Sequence, residues 1–135
     1  MNRRLKCILL IDDNKFDTFF HEKVVQRKNL AEVVIVKNSG TEAMEFLKST
    51  AIDDINYPEL ILLDINMPGL SGWDVLDQYH SMTCRNPNTK IFMLTTSINP
   101  DDEVKATSYA AVFGFISKPM EIDTLVKQIE ANFHD

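Results

Sequence analysis

Five short apolar runs alternate along this chain with five stretches of helical periodicity, and alternation of that kind directs a chain into a parallel sheet with helices on both faces. The runs lie at about residues 6–11, 32–36, 60–63, 91–94 and 112–116. Five such β–α units on one chain mean that helices are expected to cover both faces of the sheet. The first helix is predicted at 15–28 with Asn14 as its N-cap and Phe16, Phe20 and Val24, four residues apart, as the stripe that meets the core. Phe19, next to Phe20, then falls at the flank of that stripe. The second helix, 41–49, is apolar at Ala43, Met44 and Leu47. The third starts near Gly72 and carries Val75, Leu76, Tyr79 and Met82 on one face. Asn99-Pro100-Asp101-Asp102-Glu103 is a helix start, with a cap, a proline at the first position and acids in the first turn, and predicts a helix to about Ala110. This fourth helix has few large apolar residues and is expected to be loosely held. The last helix repeats Ile122, Leu125, Val126, Ile129 and Phe133 at a clean 3.6-residue period. The result is an α/β fold, a doubly wound five-stranded parallel sheet. No repeat or linker interrupts it, so residues 1–135 are expected to form one domain with no room for a second. Residues 50–59 read as an elongated loop.

The polar residues that end these runs carry the chemical signal. Asp12 and Asp13 close the first run, Asp64 the third, Thr95-Thr96-Ser97 follow the fourth, and Ser117-Lys118-Pro119 follow the fifth. In an open parallel sheet the carboxyl ends of the strands are where sites are built. Taken singly, each residue has an ordinary reading: an acidic turn, a β-branched strand residue, a surface lysine. Together they place three carboxylates, a hydroxyl and an ammonium on one edge. Three unpaired carboxylates repel one another, and Mg²⁺ is the hard, oxygen-seeking cation that holds such a group together. A carboxylate nucleophile, a divalent cation, a hydroxyl and a lysine form a set suited to phosphoryl transfer.

The net charge of −6 and the absence of a basic patch argue against direct nucleic-acid binding. No apolar run approaches the length of a membrane span. The basic start, Met1-Asn2-Arg3-Arg4-Leu5-Lys6, precedes an apolar run that stops at Asp12, too early for a signal peptide, so a cytoplasmic protein is expected. Cys7 within a strand and Cys84 in a polar stretch read as reduced thiols. His21, His80 and His134 are isolated and read as surface or structural residues. A P-loop is excluded for lack of its motif.

The acidic pair, the segment Asp64-Ile65-Asn66-Met67-Pro68-Gly69-Leu70-Ser71-Gly72, Thr95, and Lys118-Pro119, in that order, resemble the receiver domain of two-component response regulators, the CheY-like family, over essentially the whole chain. The resemblance implies a flavodoxin-like, three-layer αβα fold with strand order 2-1-3-4-5. It implies that Asp64 accepts a phosphoryl group, that Asp13 and Asp64 ligate Mg²⁺ directly with Asp12 acting through water, and that Asn66 adds its backbone carbonyl. Thr95 is then the hydroxyl that moves to the phosphoryl group, Lys118 the cation that pairs with it, and Phe115 the switch aromatic, here without the hydroxyl a tyrosine would bring. The side chains of Asn66 and Ser97 would flank the attacking water and tune signal lifetime. The Lys118–Pro119 bond is implied to be cis. The implied partners are a sensor histidine kinase or a histidine phosphotransfer protein, with the first helix helping to dock it and Phe19 a rim contact, and a downstream protein target reached without an output domain. The chain would catalyse only its own phosphorylation and dephosphorylation. The 50–59 loop is similar to an extension in stand-alone regulators linked to phytochrome-type kinases. Two other readings remain: a haloacid-dehalogenase-type phosphatase, which needs its two strand-one acids separated by one residue, and a degenerate receiver that only binds a partner, against which the complete acid–Thr–Lys set argues.

Overall fold

In a computed structural model, which describes residues 4–133, the alternation becomes β1 (Leu5–Ile11), α1 (Lys15–Arg27), β2 (Ala31–Lys37), α2 (Gly40–Ser49), β3 (Leu60–Asp64), α3 (Gly72–Ser81), β4 (Lys90–Thr95), α4 (Pro100–Ala106), β5 (Val112–Ser117) and α5 (Ile122–Asn132). Met1 to Arg3 and His134 lie outside the described residues. The strands form one parallel sheet in the order β2-β1-β3-β4-β5, as the sequence resemblance implied.

Strand parity divides the core in two. Ile8, Leu10, Leu60, Leu62, Phe92, Leu94 and Ile116 face one side, where Val25 of α1 and Leu125 and Ile129 of α5 cover them. Leu9, Ile11, Ile61, Leu63, Ile91 and Met93 face the other, under Ala43, Met44 and Leu47 of α2 and Val75, Leu76 and Tyr79 of α3. Side chains that alternate along a strand need apolar cover on both faces when every position is apolar, and these helices supply it. Strands are added on one side of β1 for β2 and on the other for β3, which puts the ends of β1 and β3 at the switch point.

Two helices differ from the sequence expectation. In α1 the buried residues are Thr18, His21 and Val25, while Phe16, Phe19 and Phe20 are 88, 62 and 51% exposed. The inner stripe is therefore displaced by one residue, about 100° of helix rotation. Polar groups occupy the inner face because the fold satisfies them: Asn38 Nδ2 donates to Thr18 Oγ1 (3.4 Å), and Met120 N–H donates to His21 Nε2 (3.2 Å). Burial keeps that imidazole's pKa below its ordinary value, consistent with a neutral, structural histidine. His80 is also structural, with Nδ1 on Leu76 O (2.8 Å) and Nε2 accepting from Ala111 N–H (3.2 Å).

The second difference is α4, which stops at Ala106 rather than near Ala110. Thr107 and Ser108 turn their hydroxyls back onto Val104 O (2.6 Å) and Lys105 O (2.8 Å), a local bonding that competes with further helix. Tyr109 then leaves the axis and donates to Asp77 Oδ1 of α3 at 2.6 Å. Of the residues in α4 only Ala106 is buried.

The 50–59 loop docks at the amino-terminal edge of the sheet, opposite the acids. Cys7 Sγ bonds Asn56 O (3.3 Å), Lys6 N–H donates to Glu59 Oε1 (2.7 Å), and Thr89 Oγ1 donates to Pro58 O (2.7 Å). Cys7 is a buried free thiol that burial pushes up to about 12, hence unreactive, and Cys84 is free and exposed.

Candidate functional site

The site grows from the carboxyl ends of β1, β3 and β5. Asp12 leaves β1 with its backbone held on both sides: its N–H donates to Lys37 O (3.2 Å), and its carbonyl accepts from Asn38 Nδ2 (3.0 Å). Its side chain is 1% exposed. Oδ1 accepts the Asn14 N–H at 2.9 Å, while Oδ2 has the Lys118 ammonium at 2.8 Å and no other donor. Asp13, next in the chain, is exposed. Asp64 ends β3 buried, with the Asn66 N–H 3.4 Å from its Oδ1. One carboxylate oxygen from each of Asp12, Asp13 and Asp64 lies within 4.8 Å of the others.

Lys118 enters from the end of β5. Its N–H donates to Thr95 O at 2.8 Å, and the peptide bond to Pro119 is cis. Its ammonium reaches Asp12 Oδ2 (2.8 Å), Asp17 Oδ2 (3.1 Å) and Asp64 Oδ1 (3.5 Å). Burial alone would lower its pKa, but the hydrogen bond and charge of Asp12, joined by Asp17 and Asp64, hold it above the ordinary lysine range. The cation is fixed.

One lysine does not neutralise these acids. Burial, then the charge of Asp12, pushes Asp64 up to about 6, against the opposing pull of Lys118 and the Asn66 N–H. The cluster offers only hard oxygen donors, holds a carboxylate that resists ionisation without further positive charge, and has in Asp13 one member open to solvent. Those properties fit a hydrated divalent cation such as Mg²⁺.

Of the remaining residues singled out in the sequence, Thr95 and Asn66 meet this centre through backbone groups, the Thr95 carbonyl on Lys118 N–H and the Asn66 N–H near Asp64. Thr95 is buried, while its neighbour Thr96 is exposed. The Thr95 hydroxyl is occupied within its own turn, donating to Ser97 O (2.9 Å) and accepting from Ser97 N–H (3.2 Å). Asn66, whose N–H faces Asp64 Oδ1, and Ser97, bonded to Thr95, are exposed. Phe115 is not at the site. It pairs in register with Met93 and lines, with Glu103, Ala106 and Thr107 of the α4 region, a groove of about 310 Å³. Asp17 is the site residue the sequence reading missed. At the third position of α1 it looks like any acid in a first helical turn, and the one available signal is its spacing, one turn after Asp13.

Residues 8–130 match the family described as response regulator receiver domain. The response regulator Rcp1 of Synechocystis sp. is 31% identical over 129 residues, which is 93% of this chain and 84% of that protein. Two other curated relatives are longer, and the chain spans 57 and 55% of their lengths. A two component response regulator from Cytophaga hutchinsonii has a similar structure (TM-score 0.87, 26% identity, 98% of this chain and 100% of that one). So does the bacteriophytochrome response regulator RtBRR (TM-score 0.79, 31% identity, 97% of this chain and 80% of that one).

Proposed function

The chain belongs to the response regulator receiver domain family, and from that membership we propose a phosphorylation-dependent signalling switch in which Asp64 takes a phosphoryl group from a phosphohistidine. The observation that carries the proposal is the meeting of Asp12, Asp13, Asp64 and Lys118 at one sheet edge. An Asp64 oxygen attacks phosphorus as the P–N bond to the donor imidazole breaks, giving an acyl phosphate and a free histidine. Mg²⁺, held by Asp12, Asp13, Asp64 and the Asn66 carbonyl, would supply charge neutralisation for the phosphoryl oxygens. Lys118 pairs with one of those oxygens, and Thr95 exchanges its bonds to Ser97 for another. Phe115 follows Thr95, so that the α4–β5 face changes and presents itself to a downstream protein. Water later cleaves the acyl phosphate, with Asn66 and Ser97 flanking its approach. In this reading residues 1–135 form one receiver domain that works in the cytoplasm and turns over no substrate beyond its own phosphoryl group. Among the described residues no helix is long and apolar enough to cross a membrane.

The test is intact-mass analysis after incubation with acetyl phosphate. One phosphoryl group per chain is expected with Mg²⁺ and none with a chelator. Sustained hydrolysis of p-nitrophenyl phosphate without a phosphorylated chain would instead favour the dehalogenase-type phosphatase.

The donor is a sensor histidine kinase or histidine phosphotransfer protein. The name of RtBRR points to a kinase of bacteriophytochrome type. Phe16, Phe19 and Phe20 form an exposed apolar face on the helix that also carries Asp17 into the site. Contiguous exposed aromatics mark partner surfaces. Phe19→Ala is expected to slow transfer from a phosphorylated bacteriophytochrome kinase core at least about tenfold, the effect of losing a hot-spot aromatic. Labelling by acetyl phosphate and the melting temperature should stay unchanged. A parallel loss of acetyl phosphate labelling would make Phe19 part of the site's support rather than a contact.

A further inference from the structure

We infer that Asp17 is a positioning residue that restrains Lys118 in the unphosphorylated protein and competes with the phosphoryl group for it. The inference rests on the phosphoryl-acceptor reading and adds to it a control on how readily the site is charged. A lysine ammonium has three N–H donors, and here three carboxylates face it at 2.8 Å (Asp12), 3.1 Å (Asp17) and 3.5 Å (Asp64). The longest separation is to the residue that receives the phosphoryl group. The two shorter ones draw the amine toward the β1–α1 side.

Asp12 and Asp17 differ in what it costs them to release the amine. The Asp12 side chain is 1% exposed, so losing Lys118 would strand a buried carboxylate oxygen. Asp17 is 36% exposed and can exchange the ammonium for water. It is therefore the partner that yields when phosphoryl oxygens arrive. Its position is built in. Asn14 caps α1 by accepting from the N–H groups of Phe16 (2.9 Å) and Asp17 (3.1 Å), which fixes the turn that aims the Asp17 carboxylate at Lys118. The plain alternative is a first-turn acid that only favours the helix dipole. That role predicts a small loss of helix stability on substitution and no effect on Lys118.

Asp17→Asn keeps the shape and removes the charge. Without metal, acylation of Lys118 by N-hydroxysuccinimide acetate, followed by peptide mass analysis, should accelerate about fivefold, the scale of a partly screened ion pair. With Mg²⁺, the initial rate of Asp64 labelling at subsaturating acetyl phosphate should rise by a similar factor. Asp17→Glu should return it toward wild type. In a Lys118→Ala background, Asp17→Asn should change nothing. Equal Lys118 acylation in the two proteins, or the same gain in the Lys118→Ala background, would overturn the inference, the latter by showing general repulsion of an anionic donor. A wild-type chain that acetyl phosphate does not label would overturn the acceptor reading itself, while the acylation comparison still decides whether Asp17 restrains Lys118.

Discussion

Asp64→Asn is expected to abolish phosphoryl uptake and, in the same protein, to raise the melting temperature without metal. The first effect follows from the chemistry. An amide is a poor nucleophile and forms no acyl phosphate, so the mass gain with acetyl phosphate should vanish. The second follows from electrostatics. Burial and Asp12 push Asp64 up to about 6. A carboxyl raised in the folded state favours folding when protonated, and that contribution is lost as pH rises through about 6. At pH 7.5 the wild-type fold therefore carries an ionised group it disfavours. A shift of this size corresponds to at most about 3 kcal/mol, and the coupling of Asp64 to Asp12 and Lys118 brings the usable part to about 1–2 kcal/mol. The asparagine has the carboxylate's shape and no charge to disfavour. Lys118 keeps Asp12 at 2.8 Å and Asp17 at 3.1 Å, so no buried cation is left alone. In chelator at pH 7.5 the variant should melt about 3–6 °C above wild type. The gap should narrow as pH falls toward 5. Millimolar Mg²⁺ should also narrow it, because a ligand that binds only the folded wild type stabilises it. A variant that melts below wild type in chelator would show that Lys118 already compensates the cluster in full.

The conflict at Asp64 was legible in the sequence because it lies in strand ends. Runs such as Leu60-Ile61-Leu62-Leu63 commit both faces of a strand to the core, so the following acid must emerge at the edge, and three such ends meet wherever the parallel sheet puts them. The same logic made the two-sided core legible, since parity alone sorts Leu9 from Leu10. Helix phase at the site was not. Hydrophobicity assigned Phe16 and Phe20 to the interior, yet that position belongs to Thr18 and His21, whose partners, Asn38 and Met120, are 20 and 99 residues away. Asp17 was hidden in the same way, because the cation that gives it meaning arrives from β5. The end of α4 was decided by two hydroxyls, Thr107 and Ser108, that bond backward, a choice that helix propensity alone does not reveal. The roles of Thr95 and Phe115 came from family resemblance. Their present contacts, Ser97 for one and the α4 groove for the other, describe a starting position from which a switch would move.

Gly72→Ala is expected to be among the most destabilising single substitutions near the site, although alanine in a helix ordinarily gains about 0.5–1 kcal/mol over glycine. Gly72 opens α3 directly after Ser71, whose hydroxyl accepts from Asp74 N–H (3.2 Å) while Asp74 Oδ2 accepts from Ser71 N–H (3.0 Å). That capping box fixes the turn, and Gly72 N–H donates to Ile65 O at 2.8 Å, so the helix start is pinned against the end of β3. A Cβ at Gly72 would lie 2.5 Å from Asp64 O and 2.8 Å from Ile65 Cα. Both are backbone atoms and have no rotamer with which to yield. Either α3 withdraws, with Val75 and Leu76 losing their places under the sheet, or the Asp64–Ile65 backbone shifts and carries the Asp64 carboxylate with it. The cost should reach about 3 kcal/mol, at the upper end for overpacking, or a fall of about 10 °C in melting temperature. The surviving folded protein should also be labelled more slowly by acetyl phosphate. Gly69→Ala provides the comparison: its Cβ meets nothing within 4 Å, and only its left-handed φ of 75° opposes a side chain. That strain costs about 1–2 kcal/mol and leaves Asp64 in place. If the two variants proved equally stable, close approach at Gly72 would not be what holds Asp64 at the sheet edge, and the Ser71–Asp74 box alone would have to do so.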